Sequence, residues 1–183
     1  MLLNIISSLF KEPKTASEIA REQNLNQKSV ANHLNKLESQ SILTTHTQGK
    51  NKLFLFNDQL LTFHFLCSIE HQRTIEFYKK HPKIKQLIRK LPQEGMLILF
   101  GSYAKDEQQA TSDIDLLHIN NKKIDFSETI QKYSVSVDIK HYKTYTNDPL
   151  IREVIKNHIV LNGIEAFVRA IWNDLLGANK KYD

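Results

Sequence analysis

The sequence predicts an α/β chain of two domains: three short helices and a hairpin, then a long helical linker, then an α/β domain with a mixed sheet. Three observations support this. Apolar residues recur at helical spacing near the N-terminal end, the stretch 60–81 contains no glycine or proline, and the apolar run 96–100 ends at a glycine. We place the domain boundaries at 1–57, 58–92 and 93–183.

The N-terminal segment predicts three helices. Pro13 ends the first, and Thr15 with Glu18 three residues later forms a capping box that starts the second. The third is predicted over 27–39. Its apolar residues lie on one face, which leaves a polar outer face. The outer positions are Lys28, Ser29, Asn32, His33 and Lys36.

Two strands, 42–45 and 53–56, are predicted next, joined by a turn around 48–51 that points basic groups outward. This order of helices and hairpin resembles a winged helix-turn-helix of small transcription regulators. The resemblance implies that the helix 27–39 enters the major groove of DNA, while Lys50 and Lys52 reach phosphates. The alternative is a protein-docking or dimerising module.

A long helix is predicted from Leu60 to His81, and Pro82 ends it. It carries more apolar positions than a linker should need, so we expect a homodimer in which Phe65, Ile69 or Phe77 pack between subunits. Alternatively, these side chains pack within one chain. A short helix follows over 83–91.

The run 96–100 is short and continuously apolar, as expected of a strand buried on both faces. Gly101 ends it and lets the backbone turn sharply. Ser102 is expected to cap a helix whose free N–H groups attract phosphate. This pattern predicts an anion site at the end of the strand.

Asp113 and Asp115 are two residues apart, so on an extended chain both carboxylates leave the same face. Their repulsion is tolerable if a divalent cation such as Mg²⁺ binds between them. The alternating segment 134–141 predicts another strand. If it pairs beside the first, Asp138 would complete a two-metal or metal-plus-base site.

Three more helices are predicted. One covers 126–132, one begins at an Asp148 cap with Pro149 in its first turn, and the last follows Asn162-Gly163. The first of these connects the strands that carry the acids, which gives a strand-helix-strand arrangement.

Gly101-Ser102, ten residues, then Asp113-Ile114-Asp115 resembles the signature of minimal nucleotidyltransferases in the polymerase-beta-like superfamily. The resemblance spans about 93–178. It implies that Gly101 and Ser102 hold the triphosphate, that Asp113 and Asp115 bind magnesium, and that Asp138 helps to deprotonate the acceptor. One departure is the pair Asp106-Glu107, where relatives often have a small residue or glycine.

Composition narrows the classes of protein. The chain has 183 residues, 25 Lys and Arg, 20 Asp and Glu, and a net charge of +5, which permits contact with nucleic acid without requiring it. Cys67 is the single cysteine, so no internal disulfide forms and no zinc-type spacing exists. We expect a cytoplasmic protein with no export signal and no membrane anchor.

Two functions compete. The first is a Mg²⁺-dependent transfer of a nucleoside monophosphate, most simply AMP from ATP although another triphosphate would serve, to an acceptor hydroxyl. Lys105 would assist the phosphates, the alternative being a solvated lysine. The resemblance suggests a partner protein such as a toxin as acceptor. The second is a DNA-binding transcription regulator whose nucleotidyltransferase domain senses a nucleotide or holds a dimer.

Overall fold

The computed structural model describes residues 1–10, 12–133, 136–146 and 148–177. They form two compact units. One comprises Met1–Ile69 with the described residues from Val168 onward, and the other comprises Glu70–Phe167. Two helices contribute residues to both units. The predicted boundaries after 57 and 92 stay predictions.

The first unit begins with helices α1 (Leu2–Leu9), α2 (Ala16–Glu22) and α3 (Gln27–Ser39). The predicted capping box is present, because the Thr15 hydroxyl accepts from the Glu18 N–H and the Glu18 carboxylate accepts from the Thr15 N–H. The Asn26 side chain caps α3 through the Ser29 N–H at 3.1 Å. Local capping thus fixes where α2 and α3 begin.

A hairpin follows, made of antiparallel strands β1 (Leu43–Gln48) and β2 (Asn51–Phe56). Both strands extend further toward the turn than the sequence predicted, because backbone pairing continues through the polar residues. The core of this unit includes side chains with no exposed surface: Ile5, Ile6, Ile19, Val30 and Leu34. This is the predicted winged helix-turn-helix arrangement.

Helices α4 (Leu60–Lys80) and α5 (Pro82–Ile88) come next. Ile69 and Phe77 on α4 are 2% and 5% exposed within one chain. These two side chains are therefore buried without a symmetry mate, as the alternative interpretation had it. No helix among the described residues combines the length and the apolar character needed to span a bilayer.

The second unit contains a four-stranded sheet in the order β5-β4-β3-β6. Its strands are β3 (Met96–Phe100), β4 (Ile114–Ile119), β5 (Val137–Tyr142) and β6 (Ile159–Asn162). Strand β3 is antiparallel to β4 and β6, whereas β4 and β5 are parallel. The sheet is therefore mixed, as predicted, although the short strand β6 was missed.

Four helices connect and flank these strands. They are α6 (Gly101–Ala104), α7 (Ser127–Ile130), α8 (Pro149–Lys156) and α9 (Ile164–Gly177). Asp148 caps α8 as predicted, its carboxylate accepting from the Ile151 N–H at 3.0 Å. One core cluster joins Phe77 of α4 and Leu87 of α5 to Leu99 and Leu116 of the sheet. This core holds β3 and β4 in place beneath the candidate site.

Candidate active site

Asp115 and Asp138 lie directly opposite each other on neighbouring strands. They are register partners in the parallel β4–β5 ladder, and the apolar pair Leu116 and Ile139 follows them. In a parallel pair, opposed residues leave the same face of the sheet. The predicted pairing of the two acid-bearing strands is confirmed for the described residues; Ser134 and Val135 lie outside them.

Gly101 brings the turn after β3 onto the Asp115 side chain. Its φ is +70°, and a Cβ added there would overlap Asp115 Oδ2. Phe100, the preceding residue, is the register partner of Asp115 in the β3–β4 ladder. Glycine is thus required for its conformation and for the close approach.

Ser102 does not cap a helix, which corrects the sequence prediction. Helix α6 begins at Gly101, Phe100 occupies the cap position, and no side-chain capping bond forms there. The strand runs directly into a single helical turn, so Ser102 is already inside it. Lys105, at the C-terminal end of this turn, is exposed.

Asp115 is the half-buried carboxylate of the site. Its pKa is raised by desolvation first, and then by the nearby carboxylates of Asp138 and Asp113. Asp113 and Asp138 are exposed, whereas Asp115 is half-buried. The Lys140 ammonium lies 2.9 Å from the Asp138 carboxylate and offsets part of the repulsion. The carboxylates of Asp138 and Asp113 therefore act on the half-buried Asp115.

Among the described residues, no three or more His, Cys, Asp or Glu side chains are arranged to hold a metal ion. The donor set nevertheless has the chemistry of a Mg²⁺ site, since carboxylate oxygens are its preferred protein ligands. A cation would also remove the repulsion that raises the pKa of Asp115. The fit to the ion therefore comes from the chemistry of the three carboxylates and from their mutual repulsion, while the Gly101 turn packs tightly against Asp115.

The pair Asp106-Glu107, which stands where relatives often have a small residue or glycine, affects the backbone conformation. Asp106 adopts a positive φ of 61°, a conformation that glycine adopts without strain. Aspartate tolerates this region better than most residues. Its carboxylate pairs with the Lys80 ammonium at 2.6 Å, an exposed ion pair.

The outer face of α3 is polar, as predicted. Lys28, Asn32 and Lys36 are exposed. Ser29 and His33 are half-buried, and the His33 ring lies 2.9 Å from the Ser29 carbonyl. The first three side chains are therefore the accessible part of this face.

On the hairpin, Lys50 and Lys52 are exposed. The Lys52 ammonium lies 2.6 Å from the Glu38 carboxylate and 5.0 Å from the centre of the Phe54 ring. Lys52 is thus already engaged by α3, whereas Lys50 is at the turn.

Sequence reasoning missed a buried ionic cluster in the second unit. Glu70 has no exposed surface; its carboxylate lies 3.2 Å from the His158 imidazole and 3.5 Å from the Arg73 guanidinium. Burial by itself raises the pKa of Glu70, but His158 and Arg73 outweigh it and leave the pKa lowered. His158 is far from Glu70 and Arg73 in sequence, so no local pattern signals the full cluster.

The fold and the carboxylate pair define a nucleotidyltransferase domain, and comparison with known families agrees. The model "Polymerase beta, Nucleotidyltransferase" matches residues 82–165, and the model "Bacterial regulatory protein, arsR family" matches residues 3–45. A putative protein adenylyltransferase of Methanocaldococcus jannaschii is 34% identical over 88 residues, covering 43% of this chain and 70% of that protein.

The chain therefore belongs to the polymerase-beta nucleotidyltransferase family, and it is a transferase. Enzymes of this family use a nucleoside triphosphate and a divalent metal ion. The N-terminal unit of the chain is a helix-turn-helix similar to that of bacterial regulators.

Two solved structures show weaker similarity. One is a toxin–antitoxin crystal structure with AMP-PNP, at 23% identity and a TM-score of 0.36. The other is a mutant of the toxin–antitoxin MntA–HpeT, at 21% identity and the same score of 0.36. Each alignment covers 55% of this chain and 92% of the other chain.

Proposed function

We propose that the C-terminal domain transfers AMP from ATP to a hydroxyl group of a partner protein. The observation that carries this proposal is the placement of Asp138 opposite Asp115, beside a glycine turn that leaves no space for a Cβ. A relative with 34% identity is named as a putative protein adenylyltransferase, which supports both the adenylyl group and the protein acceptor.

The reaction is a displacement at the α-phosphorus of ATP. The acceptor oxygen forms a bond to phosphorus, the bond to the bridging oxygen of pyrophosphate breaks, and pyrophosphate leaves with that electron pair. Asp138 is the more exposed of the two opposed carboxylates, and we assign it to accept the proton of the acceptor hydroxyl. The Lys140 ammonium lies 2.9 Å from the Asp138 carboxylate and helps to hold it in place.

Asp113, Asp115 and Asp138 would hold Mg²⁺, in a two-metal site if both ions bind. When bound, the ions supply positive charge to the α-phosphate and to the departing pyrophosphate. Gly101 and Ser102 would lie along the triphosphate, because the turn they form abuts the Asp115 carboxylate. Lys105 is exposed one turn further on and would contact the outer phosphates.

The test is label transfer from [α-³²P]ATP in the presence of Mg²⁺ and extract of the source cells. We expect one or a few labelled protein bands, identified by mass spectrometry. Asp138→Asn should lower the rate by at least about a hundredfold, in the range of a lost general base. Asp58→Asn changes an exposed carboxylate of the first unit and is the matched control. Label that never reaches a protein contradicts the proposed acceptor.

A second proposal concerns the N-terminal unit, which we propose binds DNA. The match of residues 3–45 to a family of bacterial regulators supports it. Lys28, Asn32 and Lys36 would face the major groove, flanked by Ser29 and His33. Lys50 at the hairpin turn, and Lys52 after release from Glu38, would contact phosphates.

A regulator that only senses nucleotide would bind ATP and DNA but transfer nothing. Assays of DNA binding and of label transfer on the same preparation distinguish the two: the regulator alone binds DNA without transfer, whereas the enzyme transfers the label.

A further inference from the structure

A cavity of about 350 Å³ lies in the second unit, away from the carboxylates. His118 and His141 line it, and they are register partners in the same β4–β5 ladder. Each lies three residues beyond Asp115 or Asp138, and side chains alternate between faces along a strand. The cavity is therefore on the opposite face of the sheet from the candidate active site.

The two imidazoles are held in a defined arrangement. His118 is 1% exposed, and its Nε2 lies 3.0 Å from the Glu94 carbonyl, which can only accept, so Nε2 carries the proton. Its ring packs edge-on against Phe126 at 5.0 Å between centroids. The Nδ1 atoms of His118 and His141 are 3.4 Å apart, long for an N–H···N bond.

The rest of the lining is mostly apolar. Phe126, Ile130, Val137 and Ile139 contribute walls, and these side chains belong to the core of the second unit or pack against it. A cavity with apolar walls and a few polar groups gathered together is the usual form of a small-molecule site.

The charged groups at the cavity favour an anion. Lys123 lines it, and desolvation, His118, Lys123 and Lys143 together lower the pKa of His141. Asp125 is the one carboxylate among the described lining residues, and it accepts from the Ser127 N–H at 2.9 Å. A negative group would offset the positive charge that Lys123 and Lys143 place near His141.

A metal ion is the competing occupant. Two imidazole nitrogens 3.4 Å apart are close to the spacing they would have around tetrahedral zinc, whose Zn–N bonds are about 2.0–2.1 Å. The lysines around the pair would repel a cation, however, and no third protein ligand joins the histidines among the described residues.

We propose that this cavity binds a small anionic molecule with an apolar body, its negative group held by Lys123 and His141 and its body packed against Phe126, Ile130 and Ile139. The proposal does not depend on the transferase reaction, because the cavity and the carboxylates are on opposite faces of the sheet.

Benzoate is the probe, and its neutral isostere benzamide is the matched ligand. Titration of the full chain, followed by calorimetry and by the ¹⁵N signals of the imidazoles, should show that benzoate binds and shifts His118 and His141. Benzamide should bind about tenfold more weakly, since it lacks the charge-assisted contacts. The cavity-filling change Ile130→Phe should weaken both ligands.

Two exposed lysines provide matched variants that should leave the fold intact. Lys123→Ala should weaken benzoate about tenfold, toward the benzamide value, whereas Lys122→Ala next to it, which does not line the cavity, should change nothing. Absence of benzoate binding, or equal binding of benzoate and benzamide, overturns the proposal. Saturable binding of Zn²⁺ alone that shifts both imidazoles, without any effect of benzoate, identifies a metal site instead.

Discussion

Asp138 on β5 is the register partner of Asp115 on β4, and Gly101 packs against the Asp115 carboxylate from the end of β3. Three neighbouring strands thus place two opposed acids and a glycine turn at the same end of the sheet.

Replacing Asp113 and Asp115 together by Asn should abolish transfer, because amides do not supply the negative charge that Mg²⁺ requires. The fold should survive, since the change removes repulsion around Asp115. In thermal unfolding, Mg²⁺ at ten times its Kd should stabilise the wild type by about 1.4 kcal/mol and leave the double variant unchanged. Equal transfer rates for both proteins would show that the site is elsewhere.

Gly101→Ala should damage the site itself. The added Cβ would overlap the Asp115 carboxylate, and the φ of +70° is strained for alanine. We expect a loss of about 1–2 kcal/mol in the free energy of unfolding from the backbone. Transfer should fall more than stability, because Asp115 must move. Gly49→Ala, with a φ of +61° and open space around it, is the control for backbone strain alone.

The triple change of Lys28, Asn32 and Lys36 to Ala should weaken DNA binding, most strongly at low salt. If Lys36 contacts a phosphate, its single replacement should reduce the slope of log K against log salt by about one unit. Fluorescence anisotropy at several salt concentrations measures both effects. An unchanged affinity and slope for the triple variant would favour a docking role for the N-terminal unit.

The homodimer stays a prediction, and it is best tested by substituting exposed apolar residues of α4. Ile69 and Phe77 are buried in one chain, whereas Leu60 and Ile75 on α4 are 72% and 53% exposed. Sedimentation at micromolar concentration should show a dimer that Ile75→Glu or Leu60→Glu weakens. A wild-type monomer would contradict the expected assembly.

Glu70→Gln should cost about 3–5 kcal/mol, the usual loss when one partner of a buried ion pair, here Glu70 with Arg73, is removed. His158→Gln should also destabilise, and the double variant should lose less than the two single losses added together. Urea unfolding of the four proteins measures this coupling. Strict additivity would show that the two side chains do not stabilise each other.

The buried Glu70 carboxylate also predicts a pH dependence of stability. The pKa of Glu70 is lowered below its ordinary 4.5, so the unfolded state binds more protons in the acid range. The contribution is present above pH 4.5 and is lost as pH falls through the lowered pKa. Glu70→Gln should flatten that part of the stability curve, whereas Glu94→Gln, an exposed control, should not.

Local signals determined most of the helices and pointed to the candidate site. A capping box at Thr15 and Glu18, the Asp148 cap and the apolar run 96–100 act over a few residues, so the sequence alone located α2, α8 and β3. The pattern of Gly101-Ser102 followed by Asp113-Ile114-Asp115 pointed to the two acids on β4 and just before it. The exact helix ends were less predictable, because Ser102 lies inside a turn where it was expected to cap one.

Tertiary packing alone decided which distant residues meet. Strand β6 is only four residues long. It forms the outer strand of the sheet because β3 can hydrogen-bond to it on the side that β4 does not occupy. Glu70 meets His158, and His118 meets His141, through contacts that no local periodicity encodes. Strand order and buried ion pairs depend on non-local hydrogen bonds and desolvation, and these exist only once the sheet has assembled.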